Sequence, residues 1–133
     1  MADALTDQDY RVLAEFRYLL RQFLAFSADC ADELGLSPQQ HQALLVIRAE
    51  GAEATVGMVA RRLMLKPHSA TGLVDRLEAR GLVSRQSSTE DRRRTVLVPT
   101  DQAKALLARL TAAHREEVRR LRSLLQELLD HFG

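Results

Sequence analysis

Residues 59–83 read Val59-Ala60-Arg61-Arg62-Leu63-Met64-Leu65-Lys66-Pro67-His68-Ser69-Ala70-Thr71-Gly72-Leu73-Val74-Asp75-Arg76-Leu77-Glu78-Ala79-Arg80-Gly81-Leu82-Val83. Met58, Val59, Ala60, Leu63 and Leu65 predict a short helix of about two turns. Lys66-Pro67 then interrupts it, because proline disfavours helical geometry at the residue before it yet suits the first turn of a new helix. A second helix follows over 67–80, with Gly81 as its C-terminal cap. Its apolar stripe is Ala70, Leu73, Val74 and Leu77, which leaves His68, Ser69, Thr71, Gly72, Asp75 and Arg76 outward. The outward face is small and polar near its start.

Downstream, Leu82–Gln86 and Thr95–Val98 are β-type segments on either side of Ser87-Ser88-Thr89-Glu90-Asp91-Arg92-Arg93-Arg94, a hairpin with a strongly basic tip. Upstream, Ser37-Pro38-Gln39-Gln40 carries an N-cap serine, a proline at the first helical position and a glutamine able to close a capping box. The helix it opens turns Leu44, Leu45 and Ile47 inward and stops at Gly51, after which Ala54-Thr55-Val56 reads as extended. Two long amphipathic helices flank this centre. The first, capped by Thr6 or Asp7, has its stripe at 13, 16, 20, 23, 27, 31 and 34 and ends at Gly35. The last, capped by Thr100-Asp101, has its stripe at 107, 110, 114, 118, 121, 125, 128 and 132.

Composition agrees with one compact helical subunit. The chain has 133 residues, 46% apolar and 28% charged, with no Trp and only three Pro, far from disordered or disulfide-scaffold sequences. It shows neither a signal-like segment nor a run of about 18 apolar residues, so a cytoplasmic protein that does not enter membranes is expected. The net charge of +1 hides a partition. Residues 1–60 hold four Lys/Arg against nine Asp/Glu, whereas residues 61–94 hold nine against four. A basic centre coinciding with the helix pair and hairpin points to a localised polyanion contact.

Two short helices, a tight turn and an arginine-tipped hairpin are the parts of a winged helix-turn-helix. A helix fits the major groove of B-DNA, and an arginine tip suits the narrower, more negative minor groove. A winged-helix centre of this size cannot cover both long helices, so a second subunit is expected to do so, placing two reading heads about one DNA turn, ~34–36 Å, apart. The fold expected is therefore mainly α with a small β-wing: a winged helix-turn-helix lobe over 36–99, with long N- and C-terminal dimerisation helices over 6–34 and 100–133, in a single subunit of residues 1–133.

Val59-Ala60-Arg61-Arg62-Leu63, the run from Gly72 to Val83 and Asp91-Arg92-Arg93-Arg94 together resemble the MarR (multiple antibiotic resistance regulator) family, a match running from about Leu36 to Leu106. The resemblance implies a homodimeric, ligand-responsive transcriptional regulator, most simply a repressor, on a pseudo-palindromic operator in double-stranded DNA. Carried over residue by residue, Pro67, His68, Ser69, Thr71 and Gly72 would read the major groove and Arg76 would reach phosphate. Arg93 would be the wing-tip arginine between Arg92 and Arg94, held by Asp91 through a charge-assisted hydrogen bond. Arg61, Arg62 and Lys66 would add phosphate contacts. Three departures stand out: Met64 where glycine is common in the turn, so that a left-handed residue is not expected there; Lys66 in place of a Ser or Thr cap; and Gly72 inside the reading helix.

Five of the six Phe and Tyr residues, Tyr10, Phe16, Tyr18, Phe23 and Phe26, lie on the first helix. Their plain reading is interface core; the resemblance also implies that Phe16 and Phe23, bordered by His41, wall a pocket for a small aromatic or phenolic effector. Cys30 is read as an inert thiol rather than a redox sensor, since Asp29 and Asp32 oppose thiolate formation. His41, His68, His114 and His131 are widely spaced, so no metal site and no cofactor are expected, and His114 is read as packed in the terminal seam. No glycine-rich phosphate loop or nucleophile–base set appears, which argues against an enzyme. A winged-helix module that binds protein and no nucleic acid is the alternative.

Overall fold

A computed structural model describes residues 4–132. Helix α1 spans Asp7–Glu33, α2 Pro38–Glu50, α3 Val56–Leu63, α4 Pro67–Ala79 and α5 Asp101–Phe132; a two-stranded sheet of β1 (Val83–Ser87) and β2 (Thr95–Pro99) separates α4 from α5. Gly133, the last residue assigned to the terminal arm from sequence, lies outside the described residues.

The ends of the helices obey the local chemistry of their caps. Thr6 and Asp9 form a reciprocal capping box, Thr6 Oγ1 accepting from the Asp9 amide at 3.3 Å and Asp9 Oδ2 from the Thr6 amide at 2.7 Å. Ser37 and Gln40 do the same at 3.1 and 3.0 Å. Each box satisfies two donors that the first turn of a helix leaves over. Gly81 stops α4 at φ 72°, and the Leu82 amide donates back to the Leu77 carbonyl at 3.0 Å, the reversal that glycine adopts without a Cβ clash.

Leu44, Ile47, Val59, Leu73, Val74, Leu77, Leu82, Leu97 and Leu110 are buried together where α2, α3, α4 and the strands meet α5. Each such side chain contributes about 1.5–3 kcal/mol relative to exposure. Strands β1 and β2 pair antiparallel with Val83 opposite Pro99 and Arg85 opposite Leu97. The Leu97 amide also donates to the Ala54 carbonyl at 2.8 Å, so the segment before α3 is pinned to β2. Ala54 is extended, but Thr55 already caps α3 and Val56 lies inside it, while Gly51–Glu53 forms a single 3-10 turn.

Helices α1 and α5 lie antiparallel. His131 of α5 meets Asp9 of α1 at 2.8 Å, and His114 meets Ser27 at 2.8 Å. The expected stripe of α1 holds at Phe16, Phe23, Ser27, Ala31 and Leu34, which are buried or half-buried, but Val12 and Leu19 are buried where Leu13 and Leu20 were expected, and those two are exposed. The α1 sequence carries apolar residues on two faces, and only one can meet α5 within a subunit. For the same reason Val118 and Phe132 of α5 are exposed, although both fall on its expected stripe. Leu45 is exposed as well, because His41, Ala43, Leu44 and Ile47 already occupy the inward arc of α2.

Candidate nucleic-acid interface

Helix α4 presents its polar face as the spacing predicts: Pro67, His68, Ser69, Thr71 and Arg76 are exposed, Gly72 half-buried, and Ala70, Leu73, Val74 and Leu77 inward. Lys66 caps it without any side-chain hydrogen bond, so the first-turn amides stay available to an anion. The Thr71 hydroxyl donates to the Pro67 carbonyl at 3.0 Å. A Cβ added at Gly72 would come within 3.4 Å of Arg76 Nη1, which places that guanidinium folded back along the helix over the glycine.

The turn into α4 departs from expectation. Met64 takes the left-handed conformation, φ 55° and ψ 46°, the one non-glycine residue with positive φ among the described residues. The reason is geometric: its amide donates to Ala60 and Arg61 carbonyls while Leu65 donates to Ala60 at 2.8 Å, a reversal that requires αL at this position whatever the side chain. For an L-residue with a Cβ this costs roughly 1–2 kcal/mol. The Met64 side chain is 91% exposed. With Arg61, Pro67 and Thr71, and with Val56, Gly57, Ala60 and Leu65, it lines a crevice of about 420 Å³.

At the wing, Asp91 Oδ1 accepts from the Arg93 amide at 3.0 Å and lies 3.4 Å from its Nε. The carboxylate thus fixes the backbone of the tip, while the Arg93 side chain is 93% exposed. Arg92 is exposed and makes no ion pair among the described residues. Arg94 is separated from them: it pairs with Glu53 at 3.0 Å and donates to the Glu53 carbonyl at 3.4 Å, tying the wing root to the turn before α3. Arg62 similarly leans on Glu50 at 3.5 Å. Arg61 and Lys66 are exposed, the former against Met58 Sδ at 3.6 Å.

Sequence spacing gave no hint of the clamp between wing and helix. Arg85 of β1 donates to Asp75 at 2.7 Å and Glu78 at 2.8 Å, both on α4. The bond to Asp75 first, and the nearby Glu78 charge, hold its guanidinium more firmly protonated than usual. Arg80 likewise escaped notice; it donates to the Gly35 carbonyl at 2.7 Å and to Gln40 at 3.1 Å, joining the end of α4 to the start of α2.

Of the three residues expected to border an effector, Phe23 and His41 converge and Phe16 does not. His114 is the hub: its ring lies 5.7 Å from Phe23, 5.4 Å from Phe26 and 5.0 Å from His41. Its Nδ1 faces the Leu110 carbonyl at 2.6 Å and its Nε2 faces Ser27 Oγ at 2.8 Å; because a carbonyl only accepts, Nδ1 carries the proton. His41 is buried and its Nδ1 has no hydrogen-bond partner. Burial, and secondarily the neighbouring His114, lower its pKa from 6.5. Phe16 instead joins Val12, Leu13, Leu128, Leu129 and Phe132 around an apolar cleft of about 210 Å³ where α1 begins and α5 ends. Burial pushes the half-buried Cys30 thiol up, reinforced by Glu33, Asp29 and Glu117, the direction expected, with Glu33 and Glu117 acting in place of Asp32. Among the described residues no three His, Cys, Asp or Glu side chains cluster as metal ligands, and no helix is long and apolar enough to cross a membrane.

The model of the MarR family matches residues 34–94, which hold the helix pair and the wing through Arg94. An HTH-type transcriptional regulator of Bacillus subtilis, YcgE, is 36% identical over 89 residues, covering 67% of this chain and 57% of that protein. The chain belongs to the MarR family. A second Bacillus subtilis relative, the HTH-type transcriptional repressor MdtR, is 30% identical over 96 residues, covering 72% of this chain and 61% of the repressor. This MarR-family chain thus aligns with about three-fifths of the length of these relatives. Among solved structures, CouR from Rhodococcus jostii, bound there to p-coumaroyl-CoA, superposes with TM-score 0.71 at 25% identity over 98% of this chain and 93% of its own. A MarR-family protein from Bacillus stearothermophilus gives TM-score 0.75 at 23% identity over 97% and 91%, a likeness of fold. The mainly α winged-helix architecture with its small antiparallel sheet is therefore that of MarR-family structures.

Proposed function

We propose that the chain is a homodimeric, ligand-responsive DNA-binding transcriptional regulator, acting as a repressor, in which α4 enters the major groove of a pseudo-palindromic operator and the wing enters the adjacent minor groove. One observation carries this reading: a 93%-exposed arginine, Arg93, held out on a carboxylate-fixed tip beside a helix whose small polar face is turned to solvent. Pro67, His68, Ser69, Thr71 and Gly72 are the base readers, Arg61, Arg62, Lys66 and Arg76 the phosphate contacts, and Arg92 and Arg93 the minor-groove probes, with Asp91 as their brace and Arg94 as the anchor of the wing root.

The two-fold partner covers the apolar face that α1 and α5 leave open, including Leu13, Leu20, Leu24, Val118 and Leu129, each at least 44% exposed in the isolated subunit. The effector is a small aromatic or phenolic molecule received beside the Phe23–His114–His41 cluster once the packed rings part, where the unpartnered His41 nitrogen offers a bond to a hydroxyl or carboxylate. A buried polar atom without a partner costs about 1–3 kcal/mol, so a ligand that supplies the bond gains by that amount. Coupling of about 1–3 kcal/mol between effector and operator changes affinity roughly 5–150-fold.

A mobility-shift titration with random duplex DNA at low salt tests the reading. Wild type is expected to bind, with a logarithmic salt slope that falls by about 0.9 on Arg93→Ala, and p-coumarate is expected to weaken binding only while His41 is intact. Wild-type protein that fails to bind any duplex refutes the proposal and favours a protein-interaction module; sedimentation as a monomer at micromolar concentration refutes the paired reading heads.

A further inference from the structure

Met64 is an exception twice over. The turn it occupies imposes a backbone conformation that glycine or asparagine adopts most readily, and the side chain it carries there is apolar and almost wholly solvated. The reversal hydrogen bonds to the Ala60 and Arg61 carbonyls hold the backbone there, but nothing in the free subunit covers the side chain, which is left 91% exposed. Strained backbone of this kind persists where a function uses it. The crevice that Met64 borders has an apolar wall of Val56, Ala60 and Leu65 and a polar edge of Arg61 and Thr71, and opens beside Pro67 at the start of the reading helix. Arg61, Arg62 and Lys66 lie in the same few residues of chain.

We infer that Met64 is a specificity-determining residue, whose side chain closes with this crevice on the 5-methyl group of a thymine at the edge of each operator half-site; the inference rests on the DNA-binding reading above. The cationic neighbours suit a polyanion, and the thymine methyl is the one apolar feature that base edges display in the major groove. A thioether on an unbranched stem adapts to such a contact without fixing a single rotamer. In the free subunit the exposed side chain and the left-handed backbone are disadvantages; on DNA the first becomes buried contact, and the second sets the direction in which the side chain leaves the turn.

The test separates fold from recognition by the sign of two effects. Wild-type protein first selects binding duplexes from a random pool. On the selected site, Met64→Gly and Met64→Asn, both compatible with the left-handed turn, are expected to bind about 15-fold more weakly, as loss of one methyl-sized apolar contact in each of the two half-sites implies, while their melting temperatures stay level or rise. Met64→Leu keeps the wild-type affinity within about twofold. Replacing thymines by deoxyuridine in symmetry-related pairs is expected to reveal one pair whose demethylation weakens wild type by the same factor and leaves Met64→Gly unaffected, the coupling a double-mutant cycle detects.

Equal affinity of Met64→Gly and wild type overturns the inference, as does a lowered melting temperature in both variants, which makes the residue structural. Loss of affinity insensitive to every deoxyuridine replacement overturns it too, by assigning the contact to the sugar-phosphate backbone. The underlying reading fails differently, through wild type that selects no duplex at all.

Discussion

Removing the Arg85 guanidinium should loosen the wing from the reading helix before it harms either one. Among the described residues Arg85 is the side chain that bonds β1 to two carboxylates one turn apart on α4, at 2.7 and 2.8 Å, and it is 26% exposed while Asp75 and Glu78 are 60% and 44% exposed. Fully exposed pairs are worth about 0.2–1 kcal/mol each, and charge-assisted bonds more when shielded. With the arginine largely covered and the carboxylates largely open, the two bonds together are worth about 1–2 kcal/mol. Arg85→Ala should therefore lower the unfolding free energy by that amount in urea with an unchanged m-value. Its effect on DNA binding should be larger than its effect on folding, because two carboxylates on α4, the helix proposed to enter the groove, lose their counter-charge and the wing loses its tie to α4. Arg85→Lys should recover the charge but not both hydrogen bonds, since an ammonium lacks the fork that spans Asp75 and Glu78. A cycle with Asp75→Asn and Glu78→Gln isolates the coupling. Stability within about 0.3 kcal/mol of wild type together with unaltered DNA affinity would refute the clamp.

Lys66→Ser supplies the side-chain acceptor that α4 lacks at its cap; it should raise stability by about 1 kcal/mol and reduce the salt slope of DNA binding by about 0.9, and a variant that gains stability with its slope intact shows that Lys66 touches no phosphate. His41 has a folded pKa below its unfolded value of 6.5, so the unfolded chain takes up a proton first as pH falls; stability is fully present above 6.5 and declines from there down to the lowered folded value. Urea titrations between about pH 7.5 and 5 should show that decline in wild type and its weakening in His41→Gln, whereas identical curves exclude His41 as its source.

Local chemistry made most of the helices legible. Ser37 and Gln40 are three residues apart and their bonds form inside one turn, so spacing alone predicts them; Thr6 with Asp9 makes the same box where the sequence left the cap between Thr6 and Asp7. The stripe Ala70, Leu73, Val74 and Leu77 was readable for the same reason. Asp91 and Arg93 are two residues apart, and their bond is an equally local matter. Contacts across the chain left no such mark. Arg85 reaches Asp75 and Glu78 only because the strand folds back on α4, and Arg80 reaches Gly35 across 45 residues. The inward phase of α1 was ambiguous because its sequence serves two apolar faces, and Val12 and Leu19 rather than Leu13 and Leu20 turn toward α5. Met64 shows the opposite failure: the residue type pointed away from a left-handed turn, and the hydrogen-bonded reversal between α3 and α4 overrode it. Clustering of His41 with His114 was beyond reach, since the rings meet through packing of α2 on α5 and share no sequence period.

Thr100 spends both functions of one hydroxyl at a junction, donating to the Gly81 carbonyl at 2.8 Å and accepting from the Ala103 amide at 3.2 Å. The first turn of α5 is thereby fastened to the glycine that stops α4. Helix α5, with 32 residues, is a rod of about 48 Å fulcrumed at that hydroxyl. A sideways shift of about 4 Å at its far end corresponds to a tilt of this rod by roughly 5°, and the Thr100 hydroxyl is the point at which such a tilt would meet the backbone leaving α4.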